Sequence, residues 1–397
     1  MFESVEPAPP DPILGLTEAF KEDSSPSKIN LGTGIYADDT GKTPTLECIK
    51  AAEKVVSETA TSGGGYLPMT GLAEYNRDVV ALLFGEESEI PASGRALAAQ
   101  TPGGTGGLRV AADFIARIKP GARIWMSDPT WANHNGIFTA AGLELASYPY
   151  YNHETKSLNF DEMVATLKEV PAGDVVLFHA CCHNPSGMDP DTEQWNQLAD
   201  LAAERGFLPL FDFAYQGFGT GIEEDASGLR AFAEKGMELL VASSFSKNFG
   251  LYNQRAGAMT VVAKTAEAAA TVMSHVKLAI RVNYSNPPAH GARLVAAVLA
   301  DSDLRSVWEQ DVAIMRDRIN GVRKQFVDTM AQKTEKADFS FVATQRGMFS
   351  FSGLNKEQVL ELREKHSVYI VGSGRISIAG ITSANLDPLC SAIAAVL

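Results

Sequence analysis

The segments "DVVLFHACC" (174–182), "TEQWNQLADLAAE" (192–204) and "FLPLFDFA" (207–214) follow one another along the chain. The outer two are almost continuously apolar. The middle one sets Trp195, Leu198, Leu201 and Ala202 at helical spacing. Strand, helix, strand, with strands apolar on both faces, is the pattern of a parallel sheet covered on both sides. "ARIWMSDP" (122–129) and "ELLVASS" (238–244) read as further strands of the same kind. The fold class is therefore α/β.

The chain of 397 residues is long enough for two or three domains. Past residue 300 the texture changes. Trp308, Val312, Met315, Ile319, Val322, Phe326 and Met330 recur every three or four residues, as on one long amphipathic helix. "FSFVATQRGMFSFSGL" and "VYIVGSGRISIAG" then read as short strands with a helix between. The expected division is an extended arm over 1–14, a small α+β domain from 15–40 plus 315–397, and a large domain over 41–314.

The net charge of -14 disfavours nucleic acid and anionic membranes, which attract basic surfaces. No apolar run is long enough to span a bilayer. The start, "MFESVEPAPPDPILGL", lacks the basic residues of a signal or transit peptide. A cytoplasmic protein is the expectation. The four cysteines are too few for a disulfide scaffold. "HACCH" (179–183) has metal-ligand composition, but read as a continuing strand it alternates neighbouring side chains to opposite faces. No metal site is expected.

"SSFSKNFGLYNQR" (243–255) places Lys247 just beyond a buried strand, where it is either a solvated surface lysine or a reagent. "TPGGTGGLRVAADFIARI" (101–118) opens a helix on a glycine cluster, with Leu108, Ala111, Ala112, Ile115 and Ile118 inward. Gly104 and Thr105 there form either a phosphate seat or a plain turn. The third glycine of a dinucleotide fingerprint is missing, its place taken by Arg109. Asp212 and Tyr215 in "FDFAYQGF", Asn184 in "HNPSG" and Trp131 in "DPTWANH" stand at strand ends, where open α/β sheets bind ligands. Each has a bland reading as turn, core or satisfied carboxylate. Together, an amine, a carboxylate, a flat ring and a phosphate seat suggest pyridoxal phosphate, with Lys247 forming the Schiff base and the carboxylate pairing with the ring nitrogen. Ser244, Ser246 and Arg255 then serve the phosphate.

These residues resemble the class I aspartate and aromatic amino-acid aminotransferases, of the type I pyridoxal-phosphate fold. The likeness runs from "DPILGL" through "CCHNPSG", "DFAYQGF", "SFSKNFGLYNQR" and "NYSNPPAHGA" to "GRISIAG". It implies a large domain with a mainly parallel seven-stranded sheet and a homodimer whose active sites are shared. It implies that Lys247 carries the cofactor and moves the proton, with Asp212 on the ring nitrogen. Tyr215 and Asn184 would bond the phenolic oxygen, and Trp131 would stack on the ring with His134 behind. Gly104, Thr105, Ser244, Ser246 and Arg255 would hold the phosphate, joined by Tyr66 from the second subunit. Arg375 would grip the substrate α-carboxylate near Gly34. Arg281 would reach across the dimer to a distal carboxylate. The implied activity is ping-pong transfer of an amino group from aspartate, and from aromatic amino acids, to 2-oxoglutarate.

Several positions bear on substrate preference. Thr105 and Asn286 resemble aspartate-preferring members, whereas "YLPMTG" (66–71) and "DPTW" (128–131) resemble aromatic-preferring ones. Thr33, Ala256 in "QRAG" and Ser186 depart from the usual residues of both. Other readings compatible with the fold are a lyase or decarboxylase, and a non-catalytic effector-binding module.

Overall fold

The computed structural model describes residues 2–7, 14–59 and 65–397. Of the arm expected over 1–14, residues 1 and 8–13 lie outside them. The chain divides into two compact units, Met1–Thr43 with Pro185–Gly187 and Arg318–Leu397, and Pro44–Asn184 with Met188–Asp317.

The larger unit is built on seven strands: β1 (Ala96–Pro102), β2 (Arg123–Asp128), β3 (Glu144–Pro149), β4 (Val175–His179), β5 (Leu208–Phe213), β6 (Leu239–Ser244) and β7 (Ala256–Val262). Their order is β1-β7-β6-β5-β4-β2-β3. The pairs β6–β5, β5–β4, β4–β2 and β2–β3 are parallel. Only β7 runs against its neighbours β6 and β1. The sheet is thus mainly parallel, as the apolar strands implied. The carboxyl ends of β1, β2, β4, β5 and β6 share one edge, and β7 begins there.

Both faces are covered. On one, Leu108, Ala111, Ala112, Phe114 and Ile115 of helix Gly103–Ile118 pack with Leu177, Leu210, Ala242 and Met259 of the strands. On the other, Trp195 of helix Thr192–Arg205 and Phe232 of helix Ser227–Glu234 meet Phe178 and Phe211. Helix Thr192–Arg205 starts at a reciprocal cap between Asp191 and Gln194 and stops at Gly206 in the left-handed region.

Two expectations need correction. Ile118 does not point inward: it is half exposed, because it closes the last turn of its helix after the buried stripe has ended. The strand through "HACC" stops at His179. The Asp189 carboxylate accepts the N–H groups of Cys182 (2.7 Å) and His183 (2.9 Å), and Cys182 turns to φ 51°. The alternation argument for the cysteines therefore does not apply.

The stripe from Trp308 to Met330 is buried on helix Ser302–Lys333. In the smaller unit, Ile29–Asn30 pairs in parallel with Val368–Tyr369, and Phe349–Phe351 antiparallel with Arg375–Ser377. Helices Lys356–His366 and Ser383–Val396 pack beside them. The run "FSFVAT", expected as strand, is a 3-10 turn over Ser340–Thr344.

Candidate active site

The shared strand edge of the larger unit gathers most of the singled-out residues. The connection from β6 to β7 is a hairpin rather than a crossover, with Ser244 opposite Gly257 in register. Lys247 rides on this hairpin, half-buried, its Nζ 4.5 Å from the centre of the Tyr215 ring. Ser244 donates its hydroxyl hydrogen to Ser246 at 3.2 Å, so the two hydroxyls face one another.

A backbone cradle lies alongside. Helix Gly103–Ile118 starts without a side-chain cap; the Gly103 N–H donates to Arg255 O at 2.9 Å, and the next amides of the first turn have no intrahelical partner. A Cβ on Gly103 would fall 2.5 Å from Arg255 Nη2, and one on Gly104 would fall 3.0 Å from the Ser244 Cβ. A Cβ on Gly257 would meet the Gly103 backbone carbon at 2.4 Å. Glycine at these positions allows the helix start, the serines and the guanidinium to converge. First-turn amides, a Thr105 hydroxyl and a cation at a helix N-terminus suit a phosphate monoester.

Asp212, the penultimate residue of β5, is buried opposite His179 of β4. His134 Nε2 stands 3.0 Å from the Asp212 carboxylate. His134 Nδ1 is 2.8 Å from the Thr130 hydroxyl, and that hydroxyl is 3.2 Å from His179 Nε2. The far end is fixed by a backbone amide: Asn184 N–H donates to His179 Nδ1 at 3.3 Å. An amide can only donate, so His179 Nδ1 accepts and Nε2 carries the hydrogen. The carboxylate can only accept, so His134 Nε2–H donates to Asp212. Burial tends to raise the Asp212 carboxyl; hydrogen bonding and charge from His134, with His179 and Lys247 behind, outweigh it and hold the carboxyl below its usual value. Burial, and then the neighbouring His134, push His179 down to about 3.

Trp131 packs against the core with its ring 5.2 Å from that of His134, edge to face. Tyr66 and Arg281 stand apart from this hydrogen-bonded cluster. Tyr66 is 95% exposed, and Arg281, also exposed, donates to Ser285 at 2.6 Å. Within the smaller unit, Arg375 is buried. Its Nη2 donates to Gly32 O at 2.6 Å, and its guanidinium carbon lies 4.1 Å from the centre of the Phe349 ring. A Cβ on Gly34 would strike that ring at 2.7 Å.

Thr130, His179 and Phe349 escaped the sequence reading. His179 had a signal, since a histidine ending a buried strand must find a partner. Phe349 had none beyond an apolar position in a short strand. Among the described residues, the Sγ atoms of Cys181 and Cys182 and a carboxylate oxygen of Asp225 lie within 4.8 Å of one another, all buried. The Asp225 oxygens already accept N–H groups from Gly217, Gly219 and Thr220, each at 2.8 Å. Burial pushes the Cys181 thiol up, keeping it protonated. This grouping reads as core, not as a metal centre.

The family model described as "Aminotransferase class I and II" matches residues 26–393. The aspartate aminotransferase of Salmonella typhi is 56% identical over 397 residues, covering 100% of both chains. The aromatic-amino-acid aminotransferase of Escherichia coli (strain K12) is 43% identical over 397 residues, again covering 100% of each. Among solved structures, the aromatic-amino-acid aminotransferase from Burkholderia pseudomallei, covalently bound to pyridoxal phosphate, superposes with a TM-score of 0.97. It is 46% identical, over 100% of this chain and 99% of that one.

Proposed function

Since this chain belongs to the class I and II aminotransferase family, we propose that it moves the amino group of aspartate, and of aromatic amino acids, to 2-oxoglutarate on pyridoxal phosphate. The observation that carries this reading is the convergence of Lys247, Asp212 and the Gly103–Gly104 cradle on one sheet edge. Bound there, the cofactor supplies a sink for the electrons released when the substrate α-proton leaves.

The chain supplies the rest. Gly104, Thr105, Ser244, Ser246 and Arg255 would hold the phosphate, with Tyr66 of a second copy. Asp212, ionised by its hydrogen bond from His134, would favour a proton on the ring nitrogen. Tyr215 and Asn184 would bond the phenolic oxygen, and Trp131 would stack on the ring. Lys247 would hold the cofactor through its Nζ, and the same amine would serve as the base that takes up and returns the substrate α-proton. Arg375, its plane braced by Phe349, forks onto the substrate α-carboxylate, with Gly34 leaving room for the ring of that brace. Arg281 takes the distal carboxylate. A second reading, preference for aromatic substrates, draws support from the aromatic aminotransferases among the relatives.

A single-turnover half-reaction tests both. Enzyme in its aldehyde form is mixed with aspartate or with phenylalanine while the cofactor spectrum is followed. Much faster conversion by aspartate supports the first reading, and comparable or reversed rates support the second. No conversion by either removes transamination itself.

The division into a small domain of 15–40 with 315–397 and a large domain of 41–314 belongs to the same proposal, as does a homodimer in the cytoplasm. The dimer is supported by exposed apolar surface at Tyr66 (95%), Val282 (78%) and Leu278 (48%), which a second copy would cover. No helix among the described residues is long and apolar enough to cross a membrane. Full activity of a monomer at high dilution would sink the shared-site dimer.

A further inference from the structure

Arg281 stands in the last turn of helix Ala266–Asn283, where an exposed arginine would sample many rotamers. Here it is tied. Its Nη1 donates to the Ser285 hydroxyl at 2.6 Å. That hydroxyl donates in turn to Asn286 Oδ1 at 2.9 Å, and Asn286 Nδ2 donates to the carbonyl of Leu67 at 2.6 Å. Three hydrogen bonds in series thus join Arg281 to the residue beside Tyr66. The corner beneath is firm: Tyr284 Oη donates to Gln100 O of β1 at 3.2 Å, and Gln100 Nε2 donates to Pro288 O at 2.5 Å.

Ser285 occupies a position that favours glycine. Its φ is 65°, and its N–H reaches back to Ile280 O at 2.9 Å, the bond that closes a helix in the left-handed conformation. A side chain there is disfavoured. A serine kept against that preference, with its hydroxyl both accepting and donating, points to a task for the hydroxyl.

We propose that Ser285, through Asn286, is the positioning residue that holds Arg281 in the conformation able to receive a distal carboxylate, and so sets the preference for dicarboxylic over aromatic substrates. The inference rests on the reading of Arg281 given above. With the tether intact, little rotamer freedom is lost when a dicarboxylate binds. An aromatic substrate must break the tether to move the guanidinium aside. The chain of bonds also links the only two residues expected to act in a second subunit's site, so Tyr66 and Arg281 are set together.

The test uses Ser285→Gly in the holoenzyme, because glycine suits the backbone and removes the side chain together with its hydroxyl. Thermal stability is expected to stay level or rise. The kcat/KM for aspartate should fall about tenfold, through KM more than kcat, with phenylalanine unchanged or improved. In an Arg281→Ala background, Ser285→Gly should have no further effect on aspartate. Equal losses for both substrates, or no loss for aspartate while Arg281→Ala alone is damaging, would overturn the tether and leave the role of Arg281 standing. If Arg281→Ala spares aspartate, the role of Arg281 and the tether fall together.

Discussion

His134 Nε2 lies 3.0 Å from the Asp212 carboxylate, and its other nitrogen lies 2.8 Å from the Thr130 hydroxyl. Two directions in this run are fixed by chemistry: the Asn184 amide makes His179 Nδ1 an acceptor, and the carboxylate makes His134 Nε2 the donor to Asp212. The hydrogen bond and charge of His134, with Lys247 behind, hold Asp212 as an anion.

Thr130→Val keeps the shape and removes the hydroxyl, so His134 Nδ1 loses its partner and the orientation of the ring is no longer fixed. Leaving one such buried group unsatisfied costs about 1–3 kcal/mol. We expect kcat for aspartate to fall about tenfold or more, with KM changing much less. A parallel change in both constants, or none in kcat, would show that the relay does not act on Asp212.

Burial sets the acid side of the stability profile. His179 is held at about 3, and His183 well below the ordinary histidine value. Unfolded, both titrate near about 6.5. Below that pH the unfolded chain binds more protons than the folded one, so stability falls as pH drops towards the folded values. Each group contributes about 1.4 kcal/mol per pH unit across that window. Urea unfolding from about pH 8 to about pH 5 should trace the loss, and His179→Asn should make it shallower. A flat profile would contradict the burial of neutral imidazoles.

Gly257→Ala would push a methyl group into the backbone of Gly103, at 2.4 Å from its carbonyl carbon. Nothing flexible can yield there. The expected loss is about 1–3 kcal/mol or more, together with loss of cofactor on gel filtration. Gly321→Ala is the contrast: it lies inside helix Ser302–Lys333 with open space around it. That change should raise stability by about 1 kcal/mol. Thermal melts of the two variants should move in opposite directions.

Arg375 and Arg281 should separate by substrate. Arg375→Ala is expected to weaken aspartate and phenylalanine alike, by about a hundredfold or more, since both carry the α-carboxylate. Arg281→Ala should damage aspartate at least about tenfold more than phenylalanine. Steady-state kcat/KM for the two substrates checks this, and equal losses in Arg281→Ala would refute the division.

What the sequence disclosed follows from where the physics is local. β5 and β6 were legible because strands buried on both faces are continuous apolar runs. β3 was not singled out: "ELASYP" lies at the sheet edge with most positions exposed, so no pattern marks it. β1, with Gln100 and Thr101 inside, reads as polar until the partners of those groups are known. Lys247 and Asp212 stood out as polar groups at the ends of apolar runs. The Thr130–His179 contact spans 49 residues, and no spacing rule reaches that far. The cysteines misled because a strand was extended past His179, where the Asp189 carboxylate draws the chain out of the sheet.

The pairing of β1 with β7 has a kinetic consequence. Thr101 lies opposite Gly257, so the phosphate cradle exists only once two segments far apart in sequence have met across the sheet. Closing so long a loop carries an entropic cost that must be met before the pairing stabilises the sheet. The nascent chain therefore has no seat for the cofactor until the last strand is in place. Capture of the cofactor reports completion of the sheet and does not guide it, and once bound it draws the equilibrium towards the finished fold.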